Sequence, residues 1–259
     1  MSSFIPWKGG KNKIAGRLAN LLPEHKCYVE VFAGAANLLF EKQISETEVL
    51  NDNNSDLINL FRVARYHPRE LIRELQFTTH SRADFNSYSE QPGLTDIQRA
   101  ARSWFVIKTA FGGKGGEKKC SFGYGTVGKS RLRRKAFGIL RRCYKRLNGV
   151  YIENLDFAEV IKRYDRPFTL FFCDPPYFGL SGYKHDFSKQ DHKRLADALK
   201  RIKGRFLLTI NDHPVVRELY DGFDVLERKT KYTISSDKKA AAKLRKELII
   251  ANYPLPKRW

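Results

Sequence analysis

Runs of consecutive apolar residues, each closed by small or polar ones, alternate along this chain with stretches whose apolar positions recur three and four apart. That alternation predicts an α/β fold with a mostly parallel sheet. "CYVEVFAGAAN" reads as a strand over 28–32, a turn of small residues, and a helix starting near Asn37. "EVLND" reads as a short strand ending at Asp52, and "NSDLINLFRVARY" as a helix with Leu57, Ile58, Leu60, Phe61 and Ala64 at helical spacing. Further on, "FTLFFCD" and "RFLLTIND" read as strands. Between them "FSKQDHKRLADALKRIKG" reads as a helix opened by a capping box from Ser188 to Asp191 and stopped at Gly204. "FDVLERKTKYTI" and "KELIIANY" form a final pair that closes the sheet antiparallel. From residue 65 to 150 the pattern changes: helices around 68–77, 96–110 and 133–147, a Gly-rich basic loop "FGGKGGEKKCSFGYGTVGKS", and no strong buried strand. Residues 1–64 with 151–259 are therefore expected to form one domain, and 65–150 a mainly helical insertion.

Composition narrows the function classes. At 259 residues with 42% hydrophobic, the chain can bury a core. No apolar run approaches the ~18 residues of a membrane span, and the N-terminal stretch lacks the apolar segment of a signal peptide. A cytoplasmic protein, monomeric or weakly dimeric, is expected. Cys27, Cys120, Cys143 and Cys173 form no CxxC pair and the six histidines are scattered, so no metal site is expected. The net charge of +20 attracts polyanions, nucleic acid first among them. The charge is concentrated: residues 99–146 hold 15 Lys and Arg against one acid, Glu117. A merely solubilising surface intersperses both signs.

Two features carry chemistry. Strand, small-residue turn and helix, with the Asp52 carboxylate at the next strand tip, form a Rossmann-type layout in which the acid holds ribose hydroxyls. The second feature is the end of "FTLFFCDPPYFGL", where an apolar strand stops at Asp174-Pro175-Pro176-Tyr177. Neither proline can donate a ladder hydrogen bond. The segment suits methylation of an exocyclic base amine, whose lone pair is delocalised into the ring. Asp174 and the Pro175 carbonyl supply two acceptors for the amine protons. Pro176 presets Pro175 in an extended conformation, and Tyr177 offers a stacking face for a base turned out of its helix. A decoy is "GYGTVGKS" (123–130), which matches GxxxxGK[ST] but lacks the preceding buried strand that a nucleotide loop needs.

In this combination the chain resembles the Dam-type (α-group) DNA adenine-N6 methyltransferases. The resemblance rests on "PWKGGK" (6–11), "VEVFAGAAN" (29–37), "LNDNNSDLINLF" (50–61), the basic insert, "CDPPY" (173–177), "YKHDFS" (183–188), "TIND" (209–212) and "TISSD" (233–237). It implies a Rossmann-like class I methyltransferase sheet, S-adenosylmethionine as cofactor, and DNA as partner. It further implies that Trp7 and Lys11 contact the cofactor, Lys11 at its methionine carboxylate. Glu30, Phe32 and Gly34 would line the same pocket, Asp52 would hold the ribose, and Asp174 would serve the amine beside the cofactor. RNA as substrate is the alternative. Two departures stand out. Ala36 replaces the second glycine of FxGxG, a mild change. The insert lacks the Asn-Gly-Leu-Cys-Arg-type hairpin of enzymes that read GATC. DNA contacts are expected instead from Lys114, Lys118, Lys119, Lys129, Arg131, Arg133 and Arg134, with a short or degenerate target site.

Overall fold

The computed structural model describes residues 3–7, 9–113, 120–124, 134–179, 187–231 and 244–259. Its centre is a seven-stranded sheet in the order β3-β2-β1-β4-β5-β7-β6. The strands are β1 Cys27–Glu30, β2 Thr47–Asn51, β3 Val150–Glu153, β4 Thr169–Cys173, β5 Arg205–Asn211, β6 Asp224–Lys231 and β7 Leu244–Ala251. β1 to β5 pair in parallel. β7 runs antiparallel to both β5 and β6. The closing pair is thus antiparallel, and the reversed strand lies inside the sheet while β6 takes the edge. Composition explains the placement: Leu248, Ile249, Ile250 and Ala251 are all fully buried, whereas β6 has exposed Val225. A strand covered on both faces needs such a continuous apolar run.

Side chains alternate between the two faces as the period of a strand requires. Tyr28, Leu50, Leu170, Phe172, Leu207 and Ile249 join one core. Val29, Val49, Phe171, Cys173, Phe206, Leu208 and Ile250 join the other. The first face carries α1 Ala15–Ala19, α2 Asn37–Glu41, α3 Ser55–Tyr66, α4 Pro68–Gln76, α6 Asp96–Thr109 and α7 Arg134–Arg146. The second carries α8 Phe157–Tyr164, α9 Lys189–Arg201 and α10 Pro214–Leu219. Trp104, Leu140, Cys143 and Leu147 of the helical segment belong to the same core as the sheet. A smaller cluster of Phe85, Phe105, Val106 and Ala110 involves α5 Arg82–Glu90. Arg146 anchors the basic α7 through Glu48 at 2.5 and 2.8 Å, and Lys42 reaches the same buried carboxylate at 2.6 Å.

Local signals account for the helix starts. Asn54 caps α3 by accepting from the Asp56 and Leu57 amides, and Ser188 with Asp191 forms the capping box of α9. Gly204 does something other than stop α9, which ends in an extended Ile202. A Cβ on Gly204 would lie 2.5 Å from the Thr169 carbonyl, so glycine lets the entry to β5 pass the start of β4. β3, α5, α8 and α10 are too short or too exposed to announce themselves in the pattern. β3, with exposed Tyr151, is an edge strand fixed by Asn51, whose side chain brackets the Leu155 backbone at 2.9 and 3.1 Å. Among the described residues no helix is long and apolar enough to cross a membrane, and no group of three or more metal-ligating side chains occurs.

Candidate active site

At the carboxyl ends of β1, β2 and β4 lies a pocket walled by the N-terminal segment and by the turns after these strands. Trp7, Lys11, Glu30, Phe32, Gly34, Asp52, Asp174, Pro175, Pro176 and Tyr177 all line it. The sheet order brings this about. β4 pairs with β1, so the tip carrying Asp174 stands beside the turn that begins at Val31, although the two are far apart in sequence.

The turn after β1 is tight. Gly34 has φ 46°, and a Cβ on it would lie 2.9 Å from Trp7 Cδ1. Ala36 adopts φ 52°, ψ 36°, so the left-handed conformation of the missing glycine is kept by alanine. An L-residue pays about 1–2 kcal/mol there. The Asp52 carboxylate secures the turn, accepting from the Gly34 amide at 3.0 Å and the Asn54 amide at 2.9 Å. Glu30 is buried; one oxygen accepts from the Tyr28 hydroxyl at 2.9 Å and the Leu39 amide at 3.0 Å. Burial is the main cause that pushes its carboxyl up to about 8.

Asp174 is held by its neighbours. Its Oδ1 accepts from Lys11 Nζ at 2.5 Å and from Thr209 Oγ1 at 2.8 Å, which leaves Oδ2 as the oxygen open to a ligand. Burial raises its carboxyl above the ordinary Asp value, while Lys11 and Thr209 draw it back down. Lys11 also donates to the Gly9 carbonyl at 3.1 Å and stands 5.2 Å from the Tyr177 ring centroid. The Tyr177 hydroxyl donates to Glu247. Asn211 brackets the next residue, accepting from the Phe178 amide at 2.8 Å and donating to its carbonyl at 3.1 Å.

Thr209, Asn211 and Glu247 escaped the sequence reading as site residues. Their signal is the polar break in an otherwise apolar strand: Thr209 and Glu247 are buried. The candidate DNA contacts Lys114, Lys118, Lys119, Lys129, Arg131 and Arg133 lie outside the described residues, as does the side chain of Arg134. So do "TISSD" and most of "YKHDFS" and "GYGTVGKS". The described start of the last, Gly123 and Tyr124, follows an isolated bridge between Ala110 and Phe122 and no strand of the sheet.

Residues 7–234 match the D12 class N6 adenine-specific DNA methyltransferases. The chain belongs to this family. As a member it transfers a methyl group from S-adenosylmethionine to adenine N6 in DNA, and its sheet is the mixed sheet of class I methyltransferases. Among similar proteins, the Type II methyltransferase M1.LlaDCHI of Lactococcus lactis subsp. cremoris is 30% identical, the match covering 96% of this chain and 95% of that one. The Type II methyltransferase M.CviBI of Paramecium bursaria Chlorella virus NC1A is 26% identical over 98% of this chain and 100% of its own. The DNA adenine methylase of Escherichia coli strain K12 is 24% identical over 91% and 90% respectively. For a methyltransferase of this family the pocket has a fitting set of groups: the Glu30 carboxyl and the Asp52 carboxylate near the β1 and β2 ends, aromatic walls, and an acid with one oxygen open beside two prolines.

Proposed function

We propose that this methyltransferase does its chemistry in the pocket just described, with residues 1–64 and 151–259 as the cofactor-binding catalytic domain and 65–150 as the target-recognition insertion. S-adenosylmethionine, when bound, supplies an electrophilic methyl group. Trp7, Glu30, Phe32, Gly34 and Asp52 would hold it, Asp52 at the ribose. A neighbouring hollow shares Phe32, Asn53 and Phe187 with the pocket and continues past it to Asp156 and Phe157. That continuity gives room for an extended cofactor.

The observation that carries the assignment is the locked Asp174. Because Lys11 and Thr209 both occupy Oδ1, the carboxylate cannot turn freely, and Oδ2 is preset as an acceptor for one N6 proton. The Pro175 carbonyl takes the other. The amine nitrogen is thereby drawn toward a tetrahedral, nucleophilic state, while Tyr177 stacks on the flipped adenine. Lys11 would lie at the methionine end of the cofactor as well as on Asp174.

The basic insert supports a grip dominated by phosphates. Lysines act as point charges without base information, and a short or degenerate target site follows. Exposed Phe111 and Tyr124 flank the bridge at the root of the loop, with Arg82 5.2 Å from the Tyr124 ring centroid. A cytoplasmic enzyme acting as monomer or weak dimer fits this reading. Sequencing-based mapping of N6-methyladenine in plasmid DNA after saturating expression tests it. Modified adenines in varied contexts are expected; one strict motif of four or more bases would overturn the relaxed target.

A further inference from the structure

We infer that Glu247 is a positioning residue for methyl transfer: a buried anion behind the pocket that tethers the Tyr177 hydroxyl and so sets the ring against which the target base stacks. The inference rests on the reading of Tyr177 as that stacking face. Glu247 is 2% exposed on a strand whose following four residues are all buried apolar. A carboxylate in such a place is stable only when charge and hydrogen bonds satisfy it. Register sets it opposite Asn211 on β5 and Arg228 on β6. Arg228 donates to Oε2 at 2.5 Å, and Lys11 Nζ lies 3.6 Å from Oε1. These cations and the Tyr177 hydroxyl hold its carboxyl below the ordinary Glu value against the effect of burial.

A purely structural role would be to neutralise Arg228. The division of the two oxygens argues for more. Arg228 uses Oε2, while Oε1 accepts from Tyr177, a residue separated from Glu247 by 70 positions in the chain. Arg228 is itself oriented, its guanidinium 5.7 Å from the Trp259 ring centroid. A tyrosine fixed only at Cβ swings about χ1; fixed also at its hydroxyl, the long axis of the ring keeps one direction. Asn211 does the same for the backbone of the next residue. The sheet therefore holds the segment after Asp174 through side chain and main chain at once. Preorganised placement of this kind acts on the rate of transfer more than on ground-state binding.

The test is single-turnover methylation of duplex DNA at saturating S-adenosylmethionine, with cofactor affinity measured separately by calorimetry. The variants are Tyr177→Phe, Glu247→Met, their combination, and Tyr177→Ala. Tyr177→Phe and Glu247→Met should each slow transfer by about tenfold while leaving the cofactor Kd within about threefold. The double variant should be no slower than the slower single one, because both changes remove the hydrogen bond between the Tyr177 hydroxyl and Glu247. Tyr177→Ala, which removes the ring, should lose about a hundredfold or more. Multiplying losses in the double variant, or a fall in cofactor affinity parallel to the rate, would overturn the tether. So would wild-type turnover by Tyr177→Phe, which decides the matter even where Glu247→Met does not fold. Wild-type turnover by Tyr177→Ala would instead remove the stacking reading itself.

Discussion

Asparagine at position 174 is the most informative perturbation of the site. Lys11 at 2.5 Å and Thr209 at 2.8 Å both donate to Oδ1 of Asp174. The amide of an asparagine must keep its oxygen toward these two donors, since turning the NH₂ group to them would set donor against donor. The NH₂ group is then forced into the place of Oδ2 and meets the adenine amine with another donor. Asp174→Asn should therefore be as poor as Asp174→Ala, each losing about 100- to 1000-fold in kcat, the scale of removing a preorganised acceptor worth about 2.7–4 kcal/mol. The assay is incorporation of labelled methyl groups into unmethylated plasmid DNA at saturating cofactor, with DNA affinity measured in parallel and expected to survive. The wild-type enzyme should also lose rate on acidification at a higher pH than an ordinary aspartate would dictate. The carboxylate is the active form, and burial raises its pKa above 3.8. Near-normal turnover by Asp174→Asn beside a dead Asp174→Ala would show that Oδ1 is not locked. Near-normal turnover by both would remove Asp174 from the chemistry.

Three further outcomes are expected. Glu30 carries its proton in the folded protein up to about 8 but loses it near 4.5 when unfolded, so this group makes stability decline as pH rises between those values. Glu30→Gln keeps the acceptor for Tyr28 and Leu39, and its denaturation free energy should gain on wild type between about pH 6 and about pH 8; a pH-independent difference would contradict the shift. Gly34→Ala would set a methyl group 2.9 Å from Trp7 at φ 46°. The strain of about 1–2 kcal/mol lowers folding stability, while the displaced Trp7 ring should weaken cofactor binding about tenfold, or about 1.4 kcal/mol; unchanged calorimetric affinity would show that Trp7 does not border the cofactor. Lys129→Ala should weaken DNA binding and shallow its salt dependence by about one phosphate contact. Stoichiometric ATP binding abolished by the same change would restore "GYGTVGKS" as a nucleotide loop.

What the residue pattern determined by itself was local. Apolar runs marked β1, β2, β4, β5 and β7, helical spacing marked α3 and α6, and the capping box marked the start of α9. The Asp-Pro-Pro-Tyr tip and the acid after the small-residue turn announced the pocket because each is a contiguous chemical oddity. Short or exposed elements such as β3 and α10 carried too few apolar positions to set a period. Tertiary structure alone decided which residues from distant segments meet. Lys11 reaches Asp174 across 163 positions, and Glu247 reaches Tyr177 across 70. A two-residue period tells which face a strand residue occupies, but it does not tell which strand lies next to it or in what register. That Thr209, Asn211 and Glu247 stand around the β4 tip follows from β5 pairing with β4 and β7 inserting beside β5. The interior position of β7 was settled by burial on both faces, a property of the assembled sheet.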